Sequence, residues 1–192
     1  MAGKQAKLLT PGQARRALHR VGRGRYPQRD RAMLLLSLKA GLRAGEIAQL
    51  TWPMVLGPEG VVGNCIELHD LAAKKCSGRV IPMHPLLRSA LVRLRYCDGE
   101  KCAFVIRSER GSGMRASSVV NWFAQLYREL GLDGCSSHSG RRTFITRAAR
   151  LVFKVGGSLR DVQQLAGHRS IDQTQAYIEG DSLAKRRLVA MV

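Results

Sequence analysis

The strongest constraint on the fold is a periodic apolar pattern in residues 138–155. Its apolar positions recur at i, i+1, i+4, i+7, i+8 and i+11, which is the spacing of one face of an α-helix. They are Phe144, Ile145, Ala148, Leu151, Val152 and Val155. A helix of this kind needs other elements to cover its apolar face. The pattern therefore predicts a helix over 138–155 that packs against the rest of a globular domain.

A second apolar helix is predicted over residues 28–40, with the run MLLLSL as its buried stripe. Gly41 ends this helix, and a short helix over 44–50 follows. Thr10 is suited to cap an earlier helix, because proline is favoured at the first helical position and Pro11 comes next. Further helices are predicted over 11–20, over 84–96, and from a Ser117 cap to about 130.

Two strands are predicted over 61–69 and 79–82, on either side of a hairpin-like loop, and a short strand over 103–106. Downstream, Ser158 with Asp161 and Ser170 with Gln173 have the spacing of capping boxes. Gly167 is suited to end the helix between them. We therefore predict an α+β fold, mostly helical, with a small antiparallel β-sheet.

The charge balance limits the class of binding partner. The chain of 192 residues has 32 Lys and Arg against 14 Asp and Glu, a formal net charge of +18. A chain this basic usually binds a polyanion, with nucleic acid the first candidate and an anionic membrane surface the second. The sequence contains no apolar run of membrane-spanning length and no signal-peptide pattern at its start, so we expect a cytoplasmic protein. Its five cysteines form no CxxC pair and are expected to be reduced thiols without a metal.

Two short motifs supply candidate phosphate ligands. In HSGRRTFIT, His138 and Arg141 are three residues apart and lie on the same side of a helix. In GLRAGEIAQL, Arg43 lies where one helix ends and the next begins, and Glu46 can brace it or cap the helix. Arginine presents a planar pair of donors to phosphate oxygens. Taken singly, the His138 motif is better explained by an ordinary cationic helix face, and the Arg43 motif by a surface salt bridge.

Two further motifs supply a lysine, a histidine and a tyrosine. Lys74 in LAAKKCSGRVIP lies on a tight turn, where it could reach a ligand or simply be solvated. In LAGHRSIDQTQAYIEG, the helix break after Gly167 allows His168 and Tyr177 to converge, with Tyr177 placed inside the following helix. The alternatives for this segment are a helix-turn-helix over 158–179 and a tyrosine of the core.

The order of these four motifs resembles the tyrosine recombinase family, also called phage integrases. The resemblance extends over about residues 8–180. It implies a catalytic domain over 10–180. The residues themselves predict a disordered basic tail over 1–9 before this domain and a C-terminal tail helix over 181–192 after it. Family members usually carry an additional N-terminal DNA-clamping domain, so we expect either a fragment or a single-domain member. Gly140 departs from the family, which often has an apolar residue there.

The resemblance also implies roles for individual residues. Arg43 and Arg141 match the two arginines that clamp the phosphate. His138 matches a proton acceptor or hydrogen-bond donor, and His168 a contact to the scissile phosphate. Lys74 matches the lysine that protonates the leaving 5′-oxygen. Tyr177 matches the nucleophile.

The implied function is site-specific recombination through a covalent 3′-phosphotyrosine intermediate, with no cofactor and no metal. The implied partners are double-stranded DNA, further copies of the chain in a tetramer on paired DNA sites, and accessory DNA-binding proteins. Three alternatives stay open at this point. They are a non-enzymatic DNA-binding protein, a type IB topoisomerase that relaxes supercoils, and a regulator of a full-length integrase.

Overall fold

The computed structural model of the chain describes residues 5–69, 78–98, 102–177 and 189–190. The helices predicted over 11–20, 28–40, 44–50 and 84–96 are confirmed within a few residues at each end. The α-helices of the described residues are α1 (Pro11–Val21), α2 (Pro27–Lys39), α3 (Ala44–Gln49), α4 (Pro85–Asp98), α5 (Ala116–Glu129), α6 (Ser139–Leu151), α7 (Leu159–Ala166) and α8 (Ile171–Gln175). Two 3₁₀ turns cover Trp52–Met54 and Val152–Val155. The tail helix expected over 181–192 falls mostly outside the described residues.

The sheet consists of two antiparallel strands, β1 (Cys65–Leu68) and β2 (Arg79–Pro82), with Leu68 opposite Arg79. The first strand is shorter than predicted, because the chain before Cys65 turns through a separate bridge between Leu56 and Val62. The prediction of a strand over 103–106 was wrong. Phe104 forms an isolated bridge to Thr51, and a 3₁₀ turn that begins at Trp52 ends the pairing on the Thr51 side. The α+β fold with a small antiparallel sheet is confirmed.

Helix α2 lies at the centre of the molecule and contacts α1, α3, α4 and α6. Its apolar stripe is buried as predicted, and Leu34, Leu35 and Leu36 have no exposed surface. Helix α6 approaches α2 so closely that a β-carbon at Gly140 would overlap the hydroxyl of Ser37. Gly140, the departure from the family pattern, is therefore required by this helix contact.

Helix α6 is shorter than predicted. The regular helix ends at Leu151, and the chain tightens into a 3₁₀ turn before Gly156 adopts a left-handed conformation. The change of period turns Val155 away from the core, and it is 80% exposed. Leu151, the last residue of the regular helix, is 53% exposed. Helix α5 also begins earlier than expected, with Arg115 rather than Ser117 at its N-cap.

The segment before α1 is held against the body of the domain. Leu9 is 2% exposed, and its backbone N–H donates to the hydroxyl of Thr143 at 2.8 Å. The backbone N–H of Lys7 donates to the carbonyl of Gly134 at 3.0 Å. Disorder was therefore the wrong expectation for residues 5–9, because a tertiary contact that the local sequence does not reveal fixes them.

Two apolar clusters divide the interior. The main core is centred on α2 and extends through α1, α3, α4, α5 and the sheet. The small cluster joins α6 to α7 and has five buried members, Ile145, Ala149, Val152, Val162 and Ala166. In the segments that the structure describes, every helix is too short or too polar to cross a membrane.

Candidate active site

Arg141 lies in the first turn of α6 and is 5% exposed. One guanidinium nitrogen donates to the carbonyl of Gly41 at 2.7 Å, and the other donates to the carbonyl of Ala166 at 2.7 Å. Gly41 follows the end of α2, and Ala166 is the last residue of α7. The side chain therefore joins α6 to the ends of α2 and α7, and it binds one of the carbonyls that the last turn of α7 leaves without a helical partner.

Arg43 is the N-cap residue of α3 and is braced by Glu46, as the sequence suggested. The Glu46 carboxylate accepts the backbone N–H of Arg43 at 2.9 Å and its guanidinium at 2.7 Å. The same guanidinium donates to the carbonyl of Gly167 at 3.4 Å. Glu46 is 1% exposed whereas the Arg43 side chain is 28% exposed. The carboxylate thus fixes the arginine while leaving part of it open to a ligand.

His168 lies in the turn between α7 and α8. Gly167 ends α7 in the predicted left-handed conformation, with φ of 61°. The imidazole Nδ1 is 2.9 Å from the hydroxyl of Thr174, and the carbonyl of His168 accepts from Gln163 at 3.1 Å. Both ends of the residue are therefore fixed, by α7 on one side and α8 on the other.

Tyr177 follows α8, which ends at Gln175, so its placement inside that helix was wrong. Its backbone N–H donates to the carbonyl of Thr174 at 3.1 Å in a closing turn. The ring stacks on the His168 imidazole, with centroids 5.5 Å apart and planes 21° from parallel. The helix break at Gly167 does bring His168 and Tyr177 together, as the sequence indicated.

His138 is exposed at the N-cap of α6 rather than inside the helix. It lines a cleft of about 320 Å³ together with Arg141 and Tyr177, and residues of the N-terminal segment close one side. An adjoining groove is lined by Arg79, Gly167 and His168. Five of the six predicted site residues are therefore arranged around one region, and the sixth, Lys74, lies outside the described residues.

The charges of this region act on one another. Burial lowers the pKa of Arg141 to about 10, with a further contribution from the charges of Arg43 and Arg79. Burial also lowers the pKa of His168 to about 4, again assisted by the neighbouring guanidinium charges. Arg141 therefore remains cationic near neutral pH, and His168 is a neutral imidazole there. The site can offer positive charge from arginine and neutral hydrogen bonding from histidine.

Sequence reasoning missed Arg79 and the hydroxyl of Thr174. A signal for Arg79 was available, because alternate residues of a strand share a face and Ile81 is a core residue. An arginine on the core side of a strand needs an anionic partner, and Glu46 provides it. The helix-turn-helix alternative is weakened by α8, which has five residues and little length for reading a DNA groove.

The sequence pattern described as the phage integrase family matches residues 7–182. The chain belongs to this family. Tyrosine recombinase XerC of Brucella melitensis is 28% identical over 184 residues, covering 92% of this chain and 55% of the relative. Tyrosine recombinase XerD of Pseudomonas putida is 30% identical over 171 residues, covering 84% of this chain and 52% of the relative. The chain thus spans about half the length of the curated relatives it matches.

Several solved structures share the fold of this chain. XerA recombinase superimposes with a TM-score of 0.76 at 21% identity, covering 100% of this chain and 65% of that one. The Tn1549 transposon integrase, solved with transposon right end DNA, gives 0.75 at 20% identity and covers 97% and 66%. A lambda integrase tetramer bound to a Holliday junction gives 0.67 at 18% identity and covers 89% and 47%.

Proposed function

We propose that this chain cleaves and rejoins DNA strands as the catalytic part of a site-specific recombinase. The observation that carries the proposal is the convergence of Tyr177 with His138 and Arg141 at one cleft. His168 stacks on the Tyr177 ring, and Glu46 braces Arg43. Family membership supports the same activity. Tyr177 would attack the scissile phosphorus and form a 3′-phosphotyrosine ester, while the bond to the 5′-oxygen breaks and that oxygen receives a proton. The reverse reaction, with a 5′-hydroxyl as attacking group, restores the DNA.

The arginines would stabilise the negative charge that develops on the phosphate oxygens. Phosphoryl transfer depends mainly on positioning and on fixed charges of this kind. Arg141 is already held by two carbonyls, and Arg43 by Glu46, so neither needs to reorganise when phosphate arrives. Because protein groups supply this charge, we propose a reaction that needs no metal ion or other cofactor.

The histidines and Lys74 would handle orientation and protons. His168, neutral and stacked on Tyr177, orients the phenol and presents its remaining nitrogen to the phosphate. His138 at the open side of the cleft would accept the proton of Tyr177 or hydrogen-bond a phosphate oxygen. Lys74 would protonate the leaving 5′-oxygen.

Double-stranded DNA is the proposed substrate, and further copies of the chain are the proposed partners. The net charge of +18 favours binding to a polyanion. Similar proteins were solved with transposon DNA and as a tetramer on a Holliday junction. We therefore propose assembly of a tetramer on paired DNA sites, with accessory DNA-binding proteins as further partners and the cytoplasm as the place of action.

The test is a search for covalent adducts. The full chain is incubated with a pool of nicked duplexes that carry a randomised central segment, and protein–DNA adducts are recovered after denaturation and sequenced. We expect adducts that persist in EDTA and whose DNA shares a sequence. Binding of the pool without any adduct would instead support a non-enzymatic DNA-binding protein. Adducts lost in EDTA and restored by Mg²⁺ would contradict the proposed metal-free reaction.

A further inference from the structure

Arg79 is the first residue of β2 and its side chain is 6% exposed. Two of its guanidinium nitrogens donate to the two oxygens of Glu46, at 3.1 and 3.0 Å. The third donates to the carbonyl of Leu165 at 2.9 Å. The side chain thus contacts a carboxylate of α3 and the C-terminal end of α7 at the same time.

The Glu46 carboxylate is shared between two arginines. It holds Arg43 on one side and Arg79 on the other, although it is 1% exposed. Burial alone would raise the pKa of Glu46, but the hydrogen bonds and charges of Arg79 and Arg43 outweigh it and hold the pKa below its ordinary value. Glu46 is therefore an anion whose position depends on both of its cationic partners.

The end of α7 depends on the same group. Leu165, whose carbonyl Arg79 binds, is followed directly by the carbonyls that accept from Arg141 and from Arg43, those of Ala166 and Gly167. His168 comes next. The guanidinium of Arg79 also lies against Gly167 so closely that a β-carbon there would meet it at 2.8 Å. The side chain therefore sets how far the His168 turn lies from α3.

We propose that Arg79 is a positioning residue that fixes Arg43, through Glu46, relative to the turn that carries His168. It contacts no reacting atom in this role. Arginine is suited to it because a planar guanidinium binds both carboxylate oxygens and keeps a further donor, whereas a lysine ammonium is a compact point charge. The link to catalysis rests on the proposed function, while the positioning of Arg43 does not.

The chain offers a matched control at the other end of α2. Arg29 is also nearly buried, binds the carboxylate of Asp30 at 2.8 Å and donates to the carbonyl of Arg107 at 3.4 Å. It lies about 15 Å along the helix from Lys39, the last residue of α2, given the rise of an α-helix. Arg29→Met therefore removes a similar set of contacts from outside the candidate site.

The first experiment measures the order of the Arg43 guanidinium in the full chain by ¹⁵N relaxation of the arginine Nε–H groups. The Arg43 signal is assigned from its loss in Arg43→Lys. We expect its order parameter to fall below about 0.6, the range of flexible groups, in Arg79→Met and to stay unchanged in Arg29→Met. An Arg43 signal that is equally ordered in Arg79→Met and the wild type would overturn the proposal.

Arg79→Lys keeps the inference testable if the methionine variant does not fold. It retains the charge and removes the planar set of donors. We expect an Arg43 guanidinium that is disordered as in Arg79→Met. Wild-type order in Arg79→Lys would mean that charge alone suffices, and the positioning role assigned to the guanidinium geometry would be wrong.

The second experiment links the position of Arg43 to cleavage by a double-mutant cycle, using a duplex recovered from the randomised pool. At saturating DNA, Arg79→Met should slow single-turnover adduct formation about 10²-fold, the cost of a small misplacement of a reacting group. The same change should slow Arg43→Ala far less, because its target is already absent. Equal slowing in both backgrounds would show that Arg79 acts only through stability. A wild-type chain that forms no adduct would count against the proposed function, and the relaxation measurement would still decide the role of Arg79.

Discussion

The two sides of the candidate site rest on very different amounts of apolar packing. Arg43 and Glu46 belong to α3, whose residues Ile47 and Ala48 are part of the main core. Tyr177 packs against the small cluster, which has five buried members, and His168 lies in the turn that follows α7. The side that carries Arg43 is thus fixed by a large core, and the side that carries Tyr177 by a small one.

Guanidinium groups compensate for this difference. Arg79, Arg141 and Arg43 donate in turn to the carbonyls of Leu165, Ala166 and Gly167, so the end of α7 is held by three side chains from elsewhere in the fold. Hydrogen bonds from charged groups are about twice as strong as neutral ones. The end of α7, next to Tyr177 and His168, is thus held by polar contacts from β2, α6 and the N-cap of α3. Four predictions test this difference between the two sides of the site.

The largest effect is expected for the nucleophile itself. Tyr177→Phe removes the attacking oxygen and keeps the ring that stacks on His168. Adduct formation should be abolished, while DNA affinity in a gel-shift titration changes little. A denaturation-resistant adduct formed by this variant on a duplex that the wild type cleaves would show that another residue is the nucleophile.

The next largest effect is expected for Arg43 and Arg141, which should contribute similarly to cleavage but differently to fold stability. Arg43→Ala and Arg141→Ala should each slow cleavage by roughly 10²–10³, the loss expected for one donor to a developing charge. Arg141→Ala should also destabilise the fold, because the buried carbonyls of Gly41 and Ala166 lose their partner, at about 1–3 kcal/mol each.

These two variants are compared by adduct formation, DNA affinity and urea unfolding under the same conditions. Affinity should fall little in either, because DNA binding is spread over many surface cations. If Arg43→Ala lowers the free energy of unfolding as much as Arg141→Ala, the prediction that Arg141 contributes more to stability than Arg43 is wrong.

A smaller effect concerns local opening. Backbone amides of α7 should exchange with solvent at a lower opening free energy than those of α2, because few buried apolar side chains hold α7 in place. Native-state hydrogen exchange measures this directly. Arg141→Ala should increase exchange in α7 more than in α2, and equal protection of both helices in the wild type would argue against the division into two regions.

The smallest effect is a pH dependence at His168. Its pKa in the folded chain is about 4, against an ordinary value of 6.5, because the imidazole is half-buried among guanidinium groups. The unfolded chain therefore takes up this proton first as the pH falls. The contribution of the neutral imidazole to stability is complete above pH 6.5 and is lost as the pH falls from about 6.5 to about 4.

NMR titration of the His168 Cε1–H signal tests this, with His168→Gln assigning the resonance. His84 is a useful second reporter, because burial and the charge of Lys39 also lower its pKa although it lies outside the candidate site. A midpoint for His168 near 6.5 would mean that the imidazole is more open to solvent, or further from the arginines, than the structure indicates.

The sequence by itself determined the features that short-range chemistry controls. Helix ends are marked by Thr10 with Pro11, by Ser158 with Asp161, and by Gly167, through hydrogen bonds or backbone conformations that span a few residues. The buried stripe of α2 also follows from a local run of apolar residues. The order of the motifs predicted the family and the residues around the site, because each motif is local even though the site is not.

Tertiary structure alone decided how these motifs meet. The contact of Arg141 with Gly41 joins residues 100 apart in the chain, and that of Arg43 with Gly167 joins residues 124 apart. No periodicity or cap encodes such distances, since they depend on where the main core places each helix end. For the same reason the sequence did not reveal that Arg79 would share Glu46 with Arg43, or that the end of α6 would turn Val155 toward solvent.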